Sequence, residues 1–109
     1  MSHPHSPEFC AGQLRVLADD TRLRVISALM QGPLNVGEIN RRTRVSQSLL
    51  SHHLRILRDA RLVIARRRGK AVEYSLRPGA VVGRGRCCLD LGCCRLAFPA
   101  AGGDRKQRV

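Results

Sequence analysis

Residues 45–61 separate into an apolar and a polar face at helical spacing, which is the most regular hydrophobic pattern in the chain. At about 100° per residue, the apolar face carries Leu49, Leu50, Leu54, Ile56, Leu57 and Ala60. The opposite face carries Gln47, Ser48, Ser51, His52, Arg55, Arg58 and Asp59. Ser46 is a suitable N-cap and predicts where the helix begins. The pattern therefore predicts a helix with one buried face and one face free to contact something polar.

A shorter helix is predicted immediately upstream. It begins near Asn35 and continues for about eight residues, with Val36 and Ile39 as apolar anchors. Residues 42–45 form a tight connection to the next helix. Two short helices joined in this way form a helix-turn-helix, in which the second helix enters the major groove of DNA.

A basic β-hairpin is predicted immediately downstream. Two β-prone runs, residues 62–65 and 71–76, flank the basic run of residues 66–70. A cationic hairpin next to a helix-turn-helix predicts a winged helix, whose wing lies along the phosphate backbone or the neighbouring minor groove. The predicted DNA contacts are Ser46, Gln47, Ser48, Ser51, His52, Arg55, Arg66, Arg67, Arg68 and Lys70.

Two further helices are predicted at the start of the domain. The first covers Pro7 to Leu17, and Asp19 to Thr21 supply capping groups for the second, which Gly32 and Pro33 end. The expected packing positions are Phe9, Leu14 and Leu17 in the first helix and Leu23, Ile26 and Met30 in the second. His53 is expected to pack inside the helix-turn-helix.

The predicted organisation has four parts. Residues 1–7, with His3 and His5, form a flexible tail, residues 8–78 the winged helix-turn-helix, residues 79–98 a cysteine-rich sensing and dimerisation segment, and residues 99–109 a disordered tail. In the third part, helical spacing links Cys87, Leu91, Cys94 and Phe98, whereas alternation groups Leu89, Leu91 and Cys93 on one side of a strand. Glycines weaken any helix there, so we expect a short or broken element.

Charge and composition favour a nucleic-acid partner. The chain has 20 Lys and Arg against 8 Asp and Glu, a formal charge of +12, which suits a polyanion and predicts salt-dependent binding. One Tyr, two Phe and no Trp argue against stacking of single-stranded bases. A nucleoid or ribosome-associated protein would be equally basic, but the two-faced helix argues against it.

Other classes of protein are disfavoured. No apolar run approaches the length of about 20 residues that spans a bilayer, and the amino terminus has no signal-peptide core, so a cytoplasmic protein without a membrane partner is expected. The chain lacks a phosphate-cradling glycine loop, a carboxylate cluster and a histidine near its cysteines. We therefore expect neither an enzyme nor an organic cofactor.

The segment from Leu17 to Leu76 resembles the winged-helix domain of ArsR/SmtB-type bacterial repressors. The most specific matches are Ala18–Arg22, Ser46–Ser48, Ser51–Ala60, and Arg68–Lys70 followed by Tyr74. The resemblance implies a mostly α fold with a β-hairpin wing (α+β). It also implies a homodimeric repressor that leaves an inverted-repeat operator in double-stranded DNA when a metal ion, a metalloid or a redox effector acts.

Two familiar sensor sites of that family are missing. Residues 34–38 lack the cysteine pair of arsenic sensors, and no histidine follows His53 to complete the zinc site on C-terminal helices. Four of the five cysteines instead lie within eight residues, at Cys87, Cys88, Cys93 and Cys94. Such crowding of soft thiolates suits a thiophilic ion. Several arsenic-responsive members likewise bind As(III), which needs three sulfurs, through C-terminal cysteines.

The predicted effector site consists of Cys93 and Cys94, which have apolar neighbours, and a third sulfur from Cys87 or Cys88. The arginines before Cys87 are expected to lower the thiol pKa values of Cys87 and Cys88. Cys10 is a further candidate, although a lone cysteine on a helix is more often buried filler. As(III) is the expected effector.

Two alternative effectors remain open. Four thiolates also suit Cd(II), Pb(II), Zn(II) or Cu(I). A thiol redox or persulfide sensor is the other alternative, through a disulfide between the two cysteine pairs. Adjacent cysteines lie about 3.8 Å apart at Cα, too close for an unstrained bridge within either pair.

Overall fold

The structure, a computed structural model, describes residues 6–98; His3, His5 and the predicted tail of residues 99–109 lie outside this range. The four helices are α1 (Pro7–Leu17), α2 (Asp20–Leu29), α3 (Val36–Thr43) and α4 (Gln47–Asp59). The strands are β1 (Leu34–Asn35), β2 (Val63–Arg68), β3 (Ala71–Leu76), β4 (Val81–Val82), β5 (Cys88–Asp90) and β6 (Arg95–Ala97), with a 3₁₀ turn at Arg84–Arg86. The predicted α+β class is confirmed.

Side-chain caps set the start of every helix. Ser6 accepts a hydrogen bond from the N–H of Phe9 in α1, and Asp19 accepts one from the N–H of Arg22 in α2. In α3, Asn35 and Glu38 form a reciprocal capping box. Ser46 caps α4 by accepting from the N–H of Leu49 at 3.2 Å. The starts of α2 and α4 that were predicted from the caps at Asp19 and Ser46 are confirmed.

A short, tightly bonded connection joins α3 to α4. Arg44 has a left-handed backbone with φ of 61°, and its N–H donates to the carbonyl of Asn40 at 2.7 Å. The side-chain amide of Asn40 donates to the carbonyl of Val45. These bonds hold the two helices of the helix-turn-helix at one angle.

The hairpin predicted as a wing is present, with a longer first strand. β3 pairs antiparallel with both β1 and β2, in the order β1-β3-β2. The register pairs Arg66 with Glu73 and Arg68 with Ala71. Residues 66–68 therefore belong to the strand and not to the tip as predicted, because ladder hydrogen bonds form through the backbone whatever the side chains carry. The turn itself consists of Gly69 and Lys70.

The segment after residue 79 forms a second antiparallel sheet with the order β4-β5-β6. Of the two patterns in this segment, the alternating one that indicates a strand is correct, and the helical one is wrong. Three short strands occupy the place where a short or broken element was expected. Gly83 and Gly92, with φ of 88° and 94°, occupy turns that a side chain would strain. Within residues 6–98, no α-helix follows α4.

Both sheets pack against one hydrophobic core. Helix α4 contributes Leu50, Leu54 and Leu57, and the second sheet region adds Ala80, Leu89 and Leu91, none more than 2% exposed. The remaining buried apolar residues are Leu17, Val25, Ile26, Leu29, Met30, Leu34, Ile39, Leu62, Val63 and Leu76. The predicted boundary near residue 79 is thus a change of sheet within a shared core.

Three leucines predicted to pack are instead exposed: Leu14, Leu23 and Leu49, at 41%, 37% and 44%. In α4, the buried residues are Leu50, His53, Leu54 and Leu57. The buried face of this helix therefore covers fewer apolar side chains than the sequence pattern predicted. None of the helices in the described part of the chain is long and apolar enough to cross a membrane.

Candidate nucleic-acid interface and metal centre

The polar face of α4 lies open to solvent. The side chains predicted there as DNA contacts are all exposed: Ser46, Gln47, Ser48, Ser51, His52 and Arg55. The N-cap at Ser46 places the N-terminal end of the helix on the same exposed side, where N–H groups favour a phosphate. Serine, glutamine and arginine side chains can hydrogen-bond base edges or phosphates from such a face.

The predicted wing residues Arg66, Arg67, Arg68 and Lys70 are also exposed. Gly69, with φ of 63°, makes the tight turn that brings Lys70 to the tip. Among the ion pairs of the described residues, Arg68 is the one of these four that takes part, with its Nε 3.7 Å from Oε1 of Glu73, which is also the cross-strand partner of Arg66. The hairpin therefore presents four cations, one of them partly neutralised.

A cleft of about 740 Å³ lies between α4 and the hairpin. Ser51, Arg55 and Arg58 line it from the helix, and Ile64 and Tyr74 line it from the strands. Two predicted DNA contacts, Ser51 and Arg55, thus face the space that separates the helix from the wing. The helix face and the hairpin form one continuous surface.

A polar network behind α4 fixes its orientation. His53 is 7% exposed, and its Nδ1 accepts a hydrogen bond from Nη1 of Arg22 at 3.1 Å. Arg22 also donates from Nε to the carbonyl of Val16 at 2.5 Å. Burial lowers the pKa of His53, which favours the neutral ring that this bond requires. The packing role predicted for His53 is confirmed, whereas no individual role was predicted for Arg22, which was named only as part of the family match Ala18–Arg22.

Three cysteines converge at the junction of α1 and the second sheet. The sulfurs of Cys10, Cys93 and Cys94 all lie within 4.8 Å of one another, and each side chain is half-buried. Cys94 Sγ lies 3.8 Å from that of Cys10 and 3.7 Å from that of Cys93. Cys10 and Cys93 are joined by a disulfide, with their Cα atoms 5.7 Å apart. These three residues form the thiol cluster.

The turn between β5 and β6 presents Cys93 and Cys94 to α1. Asp90 accepts a hydrogen bond from the N–H of Gly92 at 2.8 Å, and the N–H of Leu91 donates to the carbonyl of Cys94 at 2.9 Å. Leu91 anchors the turn in the core. Such a bonded turn gives both sulfurs a fixed backbone.

Cys87 and Cys88 form a separate pair. Their sulfurs are 3.3 Å apart, and among residues 6–98 the thiol cluster is the one group of three or more metal-ligating side chains. The structure thus places Cys10, and not Cys87 or Cys88, beside Cys93 and Cys94. The contact with Cys87 raises the pKa of the Cys88 thiol. The lowering predicted for Cys88 from its basic neighbours is therefore wrong, because the adjacent sulfur has the larger effect.

With its disulfide reduced, the thiol cluster would offer three thiolates to a soft ion. Two ligands of a tetrahedral thiolate site with bonds of about 2.3 Å lie about 3.8 Å apart, close to both distances from Cys94. Three sulfurs, with no fourth ligand nearby in the described residues, suit an ion that needs only three. The disulfide removes two of the three thiolates, so the ion and the disulfide compete for the same atoms.

The cluster lies close to the end of α4. Gln13, one helical turn after Cys10, donates from Nε2 to the carbonyl of Ala60, the C-cap of α4, at 3.5 Å. A cleft between these elements is lined by Phe9, Gln13, Ala60, Arg61, Leu91 and Gly92. Helix α1, which carries Cys10, therefore contacts the C-terminal end of α4 through Gln13.

Comparisons with known proteins identify the region around this helix. The model of the arsR family of bacterial regulatory proteins matches residues 19–65. The transcriptional repressor SmtB homolog of Synechocystis is 52% identical over 60 residues, which are 55% of this chain and 46% of that protein. The match therefore spans about half the length of this relative.

Solved structures agree with the fold. Reduced HlyU from Vibrio cholerae has a TM-score of 0.63 at 35% identity, and the match covers 66% of this chain and 76% of that one. The homodimeric winged helix-turn-helix DNA-binding domain Mb0332 from Mycobacterium bovis has a TM-score of 0.59 at 30% identity, covering 63% and 64%. None of these proteins carries the name of an enzyme, in line with the expectation from sequence. This chain belongs to the ArsR family of bacterial regulatory proteins.

Proposed function

We propose that this protein is a homodimeric transcriptional repressor that binds double-stranded operator DNA and releases it when a thiophilic ion binds the thiol cluster. The observation that carries DNA binding is the continuous surface formed by the polar face of α4 and the cationic hairpin. A formal charge of +12 supports a polyanionic partner.

A second copy of the chain is the proposed partner in the dimer. Leu14 and Leu23 are exposed on α1 and α2, outside the polar face of α4. The Mb0332 domain, described as homodimeric and DNA-binding, shares the fold. Two-fold symmetry would present two copies of α4 to an inverted repeat, with half-sites about 34–36 Å apart.

As(III) is the proposed effector, held by Cys10, Cys93 and Cys94. The number of sulfurs, three with no fourth ligand in the described residues, supports As(III) over Zn(II), Cd(II) and other ions that take four ligands, whereas the distances from Cys94 by themselves match a tetrahedral site. The hydrogen bond from Gln13 to Ala60 offers a mechanical connection from α1 to α4. An ion that binds more tightly to the dimer with low DNA affinity weakens DNA binding by a certain factor. By linkage, DNA weakens binding of the ion by the same factor.

The test measures anisotropy of a labelled duplex taken from upstream of the coding sequence, with TCEP as reductant. Wild-type protein should bind it more tightly than a shuffled duplex, and Arg55→Ala should weaken binding by about 5-fold to 150-fold, since a base contact contributes about 1–3 kcal/mol. Arsenite should release wild-type protein. Cys94→Ser should bind equally well and resist release, whereas Cys88→Ser should be released like wild type.

DNA recognition and the effector site are tested separately, and each has a result that would overturn it. Equal binding to both duplexes would reject sequence-specific DNA recognition. Release of Cys94→Ser at the arsenite concentration that releases wild type would reject the thiol cluster as the effector site.

A thiol redox sensor is the second candidate, favoured by the disulfide between Cys10 and Cys93. A peroxide would oxidise the two thiols to the disulfide and be reduced to water. This candidate predicts release by peroxide without any ion, reversal by reductant and loss of the response in Cys10→Ser. Peroxide release that persists in Cys10→Ser would reject it.

A further inference from the structure

We infer that the cleft between α1, the end of α4 and the turn from β5 to β6 binds a small aromatic carboxylate, held by Arg61 and Arg77 against an apolar wall. The cleft has a volume of about 300 Å³. Small-molecule sites typically measure about 300–1,000 Å³, so this volume limits the ligand to one or two rings. The site does not depend on DNA binding or on an ion in the thiol cluster.

Three elements supply the apolar wall of the cleft. Phe9 comes from α1, Ala60 is the C-cap of α4, and Leu91 follows β5. Leu91 is 1% exposed and belongs to the shared core, so it gives the cleft a fixed floor. Phe9 is half-buried, and a Cβ placed on Gly92 would lie 3.9 Å from Cε2 of its ring. The Phe9 ring thus borders the turn, and a second aromatic ring can pack against the part of it that stays exposed.

The guanidinium group of Arg77 is fixed beside this wall. Its Nη2 donates to the carbonyl of Asp90 at 2.6 Å, directly before Leu91 in the turn. The backbone N–H of Arg77 donates to the carbonyl of Leu62 at 3.0 Å. A guanidinium group has five N–H donors, so the bond to Asp90 leaves donors for a ligand. Arg77 is therefore held in one orientation before any ligand binds.

Both arginines of the cleft lack an acidic partner. The ion pairs within residues 6–98 include neither Arg61 nor Arg77. The carboxylate of Asp90 instead accepts a hydrogen bond from the N–H of Gly92 and lies 3.9 Å from Nε of Arg95. Among the described residues, no acidic side chain lines the cleft. An anion can therefore bind there without displacing an existing partner of either arginine.

The combination of two cations with an apolar wall selects the class of ligand. A carboxylate has two oxygens that can accept two parallel hydrogen bonds from one guanidinium group. An inorganic anion has no apolar body and would leave the surfaces of Phe9 and Leu91 uncovered. A neutral ring would remove water from the guanidinium groups without offering them an acceptor, which weakens binding. A ligand with one acidic end and one aromatic end satisfies both parts of the cleft.

The test records ¹H–¹⁵N correlation spectra of the full chain during titration with 1-naphthoate, without DNA and without reductant. We expect saturable shifts of the backbone signals of Arg61 and Gly92 and of the side-chain amide of Gln13, which also lines the cleft. A ligand of this size should bind with a Kd of about 0.1–1 mM. Signals of residues 66–70 should move little. The uncharged 1-naphthamide should bind at least about 10-fold more weakly, because it lacks the charged acceptor.

Variants of the two arginines test the same site in the same titration. Arg77→Gln should weaken naphthoate binding by about 10-fold or more, because a charge-assisted hydrogen bond is lost. Arg61→Gln should weaken it by a smaller factor, because Arg61 is exposed. Arg84→Gln changes the net charge equally but lies in the 3₁₀ turn outside the cleft, so it should bind like wild type. The spectra show whether each variant is folded, and the exposed position of Arg61 keeps the test valid if Arg77→Gln does not fold.

Absence of saturable shifts at Arg61 and Gly92 in wild-type protein would overturn the inference. Shifts confined to residues 66–70 would also overturn it, because they would show that naphthoate binds only to the cationic hairpin. Equal binding of 1-naphthamide, or wild-type affinity in both Arg61→Gln and folded Arg77→Gln, would reject the carboxylate as the group that is recognised. Because neither DNA nor a thiophilic ion is present, each of these results leaves the proposed repressor function unaffected.

Discussion

Single side chains in the interior decide how α4 is held, and His53 is the most sensitive of them. Its ring is buried and accepts a hydrogen bond from Arg22, which already carries a positive charge. Protonation of His53 would remove the acceptor and place two cations in contact. Asp19, whose carboxylate lies 3.9 Å from the ring, offsets this only in part. Burial therefore has the largest effect on its pKa.

We predict that the free energy of unfolding falls as the pH drops below about 6.5, the value at which an unfolded histidine titrates. The folded-state pKa of His53 is lowered, so below pH 6.5 the unfolded chain binds a proton that the folded chain resists. The loss continues until the pH passes the folded-state pKa. Each unit of lowering corresponds to about 1.4 kcal/mol.

Urea unfolding between about pH 5 and pH 7.5, at constant redox state, measures this effect. His53→Gln should be less stable than wild type at neutral pH and show a flatter pH dependence. His52→Gln removes a neighbouring but exposed histidine and should keep the wild-type slope. An unchanged slope in His53→Gln would show that another group causes the acid sensitivity.

Individual elements were predictable where the determining interactions are local. The caps at Asp19, Asn35 and Ser46 use side chains within three residues of the N–H groups they bind, so the sequence contains the whole signal. The exposure of Leu49 was not predictable in the same way. Its position on the apolar face is correct, but whether it is covered depends on how far neighbouring elements reach around α4, and His53 takes part of the available contact.

The hairpin illustrates the same limit at its strands. Two β-prone runs on either side of residues 66–70 identified it, but the basic run hid the continuation of β2 to Arg68, because pairing with β3 is a property of the backbone. This register has a consequence for charge. It places Glu73 close enough to Arg68 for an ion pair at 3.7 Å, while Arg67 stands opposite the apolar Val72.

We predict that Arg67 contributes more to phosphate binding than an arginine elsewhere on the chain. Arg67→Gln should reduce the slope of log affinity against log salt by about 0.9, the value for one lost phosphate contact. Fluorescence anisotropy with any duplex measures this slope. Arg15→Gln on α1 changes the net charge equally and should leave the slope nearly unchanged. Equal slopes for the two variants would show that the hairpin does not touch DNA.

The arrangement of the whole molecule depends on contacts between residues that are far apart in sequence. These contacts were the hardest to predict from the sequence. Crowding of cysteines near the C-terminus indicated a thiol site, but Cys10 is 83 residues from Cys93. Only the packing of α1 against the turn between β5 and β6 brings them together. Adjacent pairs in sequence therefore do not form one site: Cys93 and Cys94 join Cys10, while Cys87 and Cys88 lie apart.

The disulfide should contribute a large part of the free energy of unfolding of the oxidised chain. It closes a loop of 83 residues, and a cross-link over a long loop typically stabilises a protein by about 2–4 kcal/mol by restricting the unfolded chain. We predict that TCEP lowers the free energy of unfolding by this amount, as measured in urea. Cys88→Ser should show the same dependence on reductant as wild type.

The choice of variant matters because Cys94 lies 3.8 Å from Cys10 and 3.7 Å from Cys93. When Cys93 is replaced by Ser, Cys94 can take its place and close a loop of nearly the same length, so Cys93→Ser should remain sensitive to TCEP. Cys10→Ser removes the partner that both residues share. It should unfold at the same urea concentration with and without TCEP, close to that of reduced wild type. Sensitivity to TCEP in Cys10→Ser would mean that a different pair of cysteines carries the stabilising cross-link.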